Sequence, residues 1–303
     1  MSAAFPFPHR APVRLTVTIA ALVIGVFAIV PAVGVIVISF TDIRGLPYLP
    51  VNFVGIQNYI DFFSAAHLGY NLNAIKNTLI YAVVATVVQI VLALLIAVLL
   101  NGRLRGRTFL RAIVFLPTVL GVVVTGLIWT LVFNPNNGPA ASIWQLFGSN
   151  PAFFGDPHMA LGLIIFVQIW STIGTSVIIF LAGLQAIPAE LYESADIDGS
   201  SAWQKLRFVT VPMLAPSVTA TVLLGIVSSL QNYQLAYVLT GANNPATQLL
   251  SLAIFSQGFG GNAASGTSAS QGYAAAISVV QFVIVGIVTL LVMAYLRRRE
   301  ARL

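Results

Sequence analysis

The chain has 303 residues, of which 58% are hydrophobic and 7% charged, with 14 basic and 8 acidic side chains and a net charge of +6. A soluble domain carries about 25% charged residues, so this composition excludes an ordinary soluble enzyme, a disordered tail protein and a nucleic-acid binder. No cysteine is present, which removes a disulfide framework, a Cys metal site and a thiol nucleophile.

Residues 1–14 contain Pro6, Pro8 and Pro12 and read as a cytoplasmic N-terminal tail. A transmembrane helix needs about 20 mostly apolar residues. Six runs qualify, at 15–40, 78–100, 112–133, 159–187, 213–239 and 273–296, and none of them contains Asp, Glu, Lys, Arg or His. They are too long and too little alternating for barrel strands, so the expected fold class is an all-α integral membrane protein with six transmembrane helices over 15–296. The first run is too long for a cleaved signal peptide, and Pro31 is expected to kink it. The segments 41–77, 134–158 and 240–272 are external connections rich in turn residues. The nearly low-complexity stretch 258–272 is expected to be mobile.

Twelve of the 14 basic residues precede the first run, separate the second from the third and the fourth from the fifth, or follow the sixth; Arg44 and Lys76 are the exceptions. The positive-inside rule then puts both termini, including the tail 297–303, in the cytoplasm.

The cytoplasmic connection 187–212 is longer than a turn needs. Pro188 suits the first turn of a helix, and Glu190 and Glu193 suit its positive end. Leu191, Ala195 and Ile197 are expected to form an apolar stripe, and Gly199 to end the helix in a left-handed cap. Ser200 or Ser201 then caps a second short helix with Trp203, Leu206 and Phe208, before Pro212 opens the next span. Two amphipathic turns suit either the lipid interface or the groove of a cytoplasmic partner. The acidic residues Glu190, Glu193, Asp196 and Asp198 favour the partner, because anionic lipids repel them.

The run from Glu193 to Pro212 (ESADIDGSSAWQKLRFVTVP) resembles the EAA loop of binding-protein-dependent ABC transporter permeases. Glu193, Ala195, Gly199 and Pro212 match that pattern, while Ser194 and Val211 depart from it conservatively. The sequence Ile197-Asp198-Gly199, followed by Trp203-Gln204, is similar to the carbohydrate-uptake branch. So are Phe53-Val-Gly-Ile-Gln-Asn-Tyr59, Asn77-Thr78, Phe115-Leu116-Pro117, Gly126-Leu-Ile-Trp129 and Tyr237-Val-Leu-Thr-Gly241.

The resemblance implies a type I ABC importer permease with core helices over 78–296. It implies as partners a second homologous permease, two ATPase subunits and an extracytoplasmic solute-binding protein, all at a prokaryotic cell membrane. The docking contact would be carried by Glu190, Leu191, Glu193, Ser194, Ala195, Asp198, Gly199, Trp203 and Pro212. No cofactor is expected on this chain: it has no G-x-x-x-x-G-K-S/T phosphate loop, so ATP and Mg belong to the partner ATPase.

The residues themselves add a candidate path. Counting about 1.5 Å per residue, Gln168 and Asn232 lie at a similar depth, roughly 24 Å from the cytoplasmic ends of their helices. With Thr172, Thr175 and Ser229 they form two uncharged clusters suited to a sugar or polyol. Interhelical hydrogen bonding is an equal alternative for any one of them. A self-contained secondary carrier or channel predicts intramembrane charges or a filter motif, and the runs contain neither. A membrane enzyme has little to draw on, because His9, His67 and His158 sit in the tail and external loops.

Overall fold

The computed structural model describes residues 10–45, 50–102, 105–260 and 269–300. Four helices are long and apolar enough to cross a membrane: α1 (Thr16–Ile38), α2 (Ala65–Asn101), α5 (Ala160–Gln185) and α11 (Gln271–Arg298). The remaining two spans are broken. The third consists of α3 (Arg107–Val119) and α4 (Val122–Val132), bent by 105°. The fifth is entered through α7 (Ala202–Met213), which meets α8 (Ala215–Gln231) at 66°, and it breaks again before α9 (Gln234–Thr240). Counting each bent pair as one span gives six.

The helices α2, α5 and α8 form the centre, with α3 against α5 and α11 against α8. Small residues set these distances. A Cβ on Gly174 of α5 would lie 2.7 Å from Thr118 Cγ2 and 2.8 Å from the Val114 carbonyl. One on Gly183 would lie 2.8 Å from Leu214 Cδ2. Such close approach is how membrane helices gain packing energy when water supplies no hydrophobic drive. By contrast, no residue of Thr16–Ile38 is buried. Just before Pro31, where a kink is expected, α1 carries a π turn over Gly25–Ile29 and continues as one helix.

Three sequence expectations need correcting. The second helix begins at Ala65, 13 residues before the apolar run. Its early polar turns are buried because Asn71, Asn77 and Thr78 bind other segments: Asn71 Nδ2 donates to the Phe62 carbonyl (2.8 Å) and the Tyr273 hydroxyl (3.0 Å). The run 112–133 is not one straight helix. Leu120 and Gly121 are extended at the break, following a proline, Pro117, that has no N–H to donate. Finally, the connection 240–272 contains a helix, α10 (Leu250–Gly260). Its first amide, Leu250 N–H, donates to Thr78 Oγ1 of α2 (2.9 Å), so the cap comes from a distant helix. Of the stretch expected to be mobile, 261–268 lies outside the described residues.

At the end away from most of the basic residues, Thr41 and Phe53 form an antiparallel bridge. Asn58 Nδ2 donates to the carbonyls of Ser39 and Thr41. Asp42 accepts from the Asn52 side chain and backbone, which holds its carboxyl below the usual range. At the opposite end, Arg111 Nη2 donates to the Leu100 carbonyl (3.2 Å), placing a cation at the negative end of α2.

Gly174→Leu forces α3 and α5 apart. It should cost about 1–3 kcal/mol, in the range of an overpacked core, and lower the thermal midpoint of the purified protein in detergent. A midpoint equal to the parent's would show that this contact does not set the helix spacing.

Candidate functional site: a polar cavity and an exposed helical loop

The break in the fifth span builds the cavity. α8 ends at Gln231, and Asn232 turns to extended backbone (φ −75°, ψ 127°). The Leu230 carbonyl, whose helical partner would lie beyond the break, instead accepts from Gln281 Nε2 (2.9 Å) and Ser251 Oγ (3.1 Å). Side chains from α10 and α11 thus satisfy what the break releases, as hydrocarbon surroundings require.

The turned Asn232 side chain meets the fourth span: its Nδ2 donates to Gln168 Oε1 (2.7 Å). One turn along α5, Thr172 Oγ1 donates to the Gln168 carbonyl (2.8 Å) and to Gln89 Oε1 (3.1 Å). Gln89 Nε2 in turn donates to Ser176 Oγ (2.8 Å). Amides and hydroxyls from α2, α5 and the fifth span therefore form one network. Beside it lies a cavity of about 450 Å3. α5 contributes Gln168, Ser171 and Thr172, the fifth span contributes Ser228, Gln231 and Asn232, and no Asp, Glu, Lys, Arg or His lines it.

The two predicted clusters therefore meet. Gln168, Thr172 and Asn232 are at the cavity; Thr175 and Ser229 do not line it. Thr175 is exposed and Ser229 buried. Grouping Ser229 with Asn232 in one cluster assumes a continuous helix, and the break redirects Asn232 while Ser228 takes the cavity side. The broken third span adds Thr118 and Thr125, and the fifth adds Tyr233 and Gln234; the sequence reading missed all four. For Thr118 and Thr125 the advance signal was the Pro117…Gly121 pair, which marks the break in the third span; Tyr233 and Gln234 had none. Thr125 Oγ1 is buried, lines the cavity and has no partner among the described residues. An orphaned hydroxyl costs about 1–3 kcal/mol, so it is a donor left free at this wall.

The loop between α5 and α8 is the second feature. Pro188 precedes α6 (Ala189–Ile197), with Glu190 in its first turn. Gly199 (φ +71°) closes it: Ser200 N–H donates to the Ala195 carbonyl (2.9 Å) and Gly199 N–H to that of Asp196 (3.1 Å), the paired bonds of a Schellman cap. Ser201 then forms a capping box with Gln204 at the start of α7.

Of the residues expected to dock, Glu190, Leu191, Glu193, Ser194, Asp198, Gly199 and Trp203 are exposed, Pro212 is half-buried and Ala195 is buried. The expected Leu191–Ala195–Ile197 stripe is split: Ala195 faces inward, whereas Ile197 is 88% exposed. Trp203 and Phe208 are each 67% exposed. The loop is tied down by Tyr192 to Thr210 Oγ1 (3.0 Å) and by the Lys205–Asp196 ion pair (2.6 Å). At such exposure that ion pair contributes at most about 1 kcal/mol.

The chain belongs to the family of binding-protein-dependent transport system inner membrane components, which matches residues 89–302. It is thus a multi-pass membrane permease subunit. It is 33% identical to the trehalose/maltose transport system permease protein of Thermococcus litoralis over 87% of this chain and 86% of that one. It is 34% identical to the multiple sugar-binding transport system permease protein of Streptococcus mutans over 84% of each. With the arabinooligosaccharides transport system permease protein of Bacillus subtilis it shares 32% over 88% of this chain and 82% of that one. The fold is that of a chain in a bacterial ABC transporter involved in the import of the acidic polysaccharide alginate. There the TM-score is 0.78 at 20% identity, over 94% of this chain and 95% of that one.

Ser201→Ala removes the hydroxyl that accepts from Gln204 N–H. The loss of such a cap costs about 1 kcal/mol, so amide exchange over 202–205 should speed up about fivefold. Unchanged exchange would show that the box does not hold the loop's shape.

Proposed function

We propose that this chain pairs with a second permease to form the membrane path of an ATP-driven importer for a neutral sugar or polyol. Of two ATPase subunits, one docks on 187–212 and the other on the second permease, and an extracytoplasmic binding protein delivers substrate at the opposite end. Both termini and the loop lie in the cytoplasm of a prokaryotic cell. The observation that carries the reading is the uncharged cavity at Gln168 and Asn232, on the two helices that the exposed loop joins. The sugar-named relatives support the substrate class. A cavity wall without Lys or Arg favours a neutral ligand over an acidic one.

In this reading the partner ATPase supplies phosphate chemistry, and this chain supplies the mechanical joint and the binding groups. The exposed face of α6 seats in the ATPase, with Glu190 and Glu193 at its rim. Closure of the ATPase pair moves the loop, and the Schellman cap and capping box pass that motion to both α5 and α8. The cavity is thereby exposed to one side of the membrane and then to the other. The shift is driven by the difference in ATP affinity between the two states. Amides and hydroxyls bind sugar hydroxyls without the grip of a full charge, so the ligand leaves when the state changes.

Two substitutions separate the two roles. Gly199→Val places a β-branched residue at φ +71°, a conformation that such residues rarely adopt. It should abolish transport and weaken ATPase association while the chain stays in the membrane. Asn232→Leu breaks the bond to Gln168 and should lower uptake about tenfold or change the sugars accepted, with ATPase association intact. Each unpaired hydroxyl costs about 1–3 kcal/mol. Normal transport by both variants in an assembled complex would refute the reading.

A further inference from the structure

The segment that joins α2 to α3 carries charge without a counter-charge. Arg103, Arg105, Arg107 and Arg111 follow one another closely, and no Asp or Glu occurs between Asp61 and Asp156. Arg105 and Arg107 are exposed, and their guanidinium groups have no partner among the described residues. The basic residues of the loop 187–212 differ. There Lys205 pairs with Asp196, and the Arg207 guanidinium lies over the Phe208 ring at 5.6 Å.

The helix that follows the arginines is two-sided. Val114 and Thr118 lie against Gly174 of α5, and Arg111 on the same side reaches the Leu100 carbonyl. On the opposite side Phe109, Ile113 and Leu116 are 70%, 52% and 62% exposed. Their spacing of four and then three residues puts them on one face. This face runs from the arginines into the apolar run 112–133, so it meets acyl chains rather than a soluble partner. Cations at the end of a membrane helix, continued by an apolar face along it, match the two parts of a phospholipid. Unpaired arginines beside a membrane attract anionic headgroups. A zwitterionic headgroup offers the same phosphate, but its ammonium cancels the charge.

We infer that Arg105 and Arg107 hold the headgroup of an anionic phospholipid whose acyl chains lie on Phe109, Ile113 and Leu116. The lipid thereby fixes one end of α3, and the other end carries Thr118 to the cavity wall. The inference is independent of the sugar reading.

The test uses the permease with the subunits that accompany it, in nanodiscs mixing phosphatidylglycerol and phosphatidylcholine. The chain has no cysteine, so Ala112→Cys carries a bimane label beside the stripe, with the thiols of the other subunits removed. Quenching by brominated phosphatidylglycerol, set against that by brominated phosphatidylcholine, gives the local preference between the two lipids. The parent should prefer phosphatidylglycerol. Arg107→Gln should cut that preference about fivefold, the strength of one basic residue at an anionic surface. Arg105→Gln with Arg107→Gln should abolish it, and Arg107→Lys should keep it. Arg207→Gln removes the same charge from the other loop and should change the preference less than about twofold, because screening confines a surface charge to its neighbourhood. All these side chains are exposed, so the variants keep the fold. Equal quenching by both lipids in the parent overturns the site. An equal loss in Arg207→Gln also overturns it, since the preference then belongs to the general surface field. Loss of a subunit from the double variant with the lipid preference unchanged overturns it too, and assigns the arginines to a protein contact.

Discussion

A backbone carbonyl inside a membrane must find a partner in the protein, and the break in the fifth span makes that requirement acute. The Leu230 carbonyl is caught by Gln281 from α11 and Ser251 from α10. Without those two side chains the Leu230 carbonyl would be left unpaired at the break that turns Asn232 toward Gln168, at a cost of several kcal/mol. The polar cavity therefore depends on residues that do not line it. The same logic places α10, whose first amide is capped by Thr78 of α2. Asn77 of α2 also donates to the carbonyls of Ala246 and Gln248 (3.2 Å each).

Much of the architecture was legible in the residues. Charge-free apolar runs announce the spans because a charged side chain in hydrocarbon is expensive. Pro188, Gly199 and Ser201 announce the loop because each has a backbone or capping preference that acts locally. Gln168 and Asn232 could be paired by depth alone, since helix rise is constant. What escaped were backbone events inside apolar sequence. Hydropathy counts side chains: it runs unbroken through Leu120–Gly121, and at Gln231–Gln234 it dips without saying that the backbone leaves the helix. The groups that stabilise the second break, Ser251 and Gln281, are 21 and 51 residues distant from Leu230. The misplacement of Ser229 follows directly, because a helical face was extended past the point where the helix stops. α10 escaped because 11 residues are too few to span and its C-terminal end runs into Ser, Gln and Gly.

The cavity and the loop are joined by rigid parts. α5 runs from the cavity to Pro188, and α8 runs from α7 back to Asn232. Leu184 and Ile187 at the end of α5 pack with Leu214 at the start of α8 in one buried cluster. Motion imposed on α6 therefore reaches both walls of the cavity together. The bond between Gln168 and Asn232 spans the two walls, so it either travels with them or is exchanged for bonds to a sugar.

The central claim is that this cavity opens to opposite sides of the membrane in response to ATP at the loop. The chain has no cysteine, so Asn232→Cys gives it a single thiol as reporter in the assembled importer. The account predicts labelling by a membrane-impermeant maleimide from the loop side in the nucleotide-free complex. After trapping with ATP and vanadate, labelling should come from the opposite side instead. Labelling that is absent from both sides, or that does not change side with nucleotide, would contradict it.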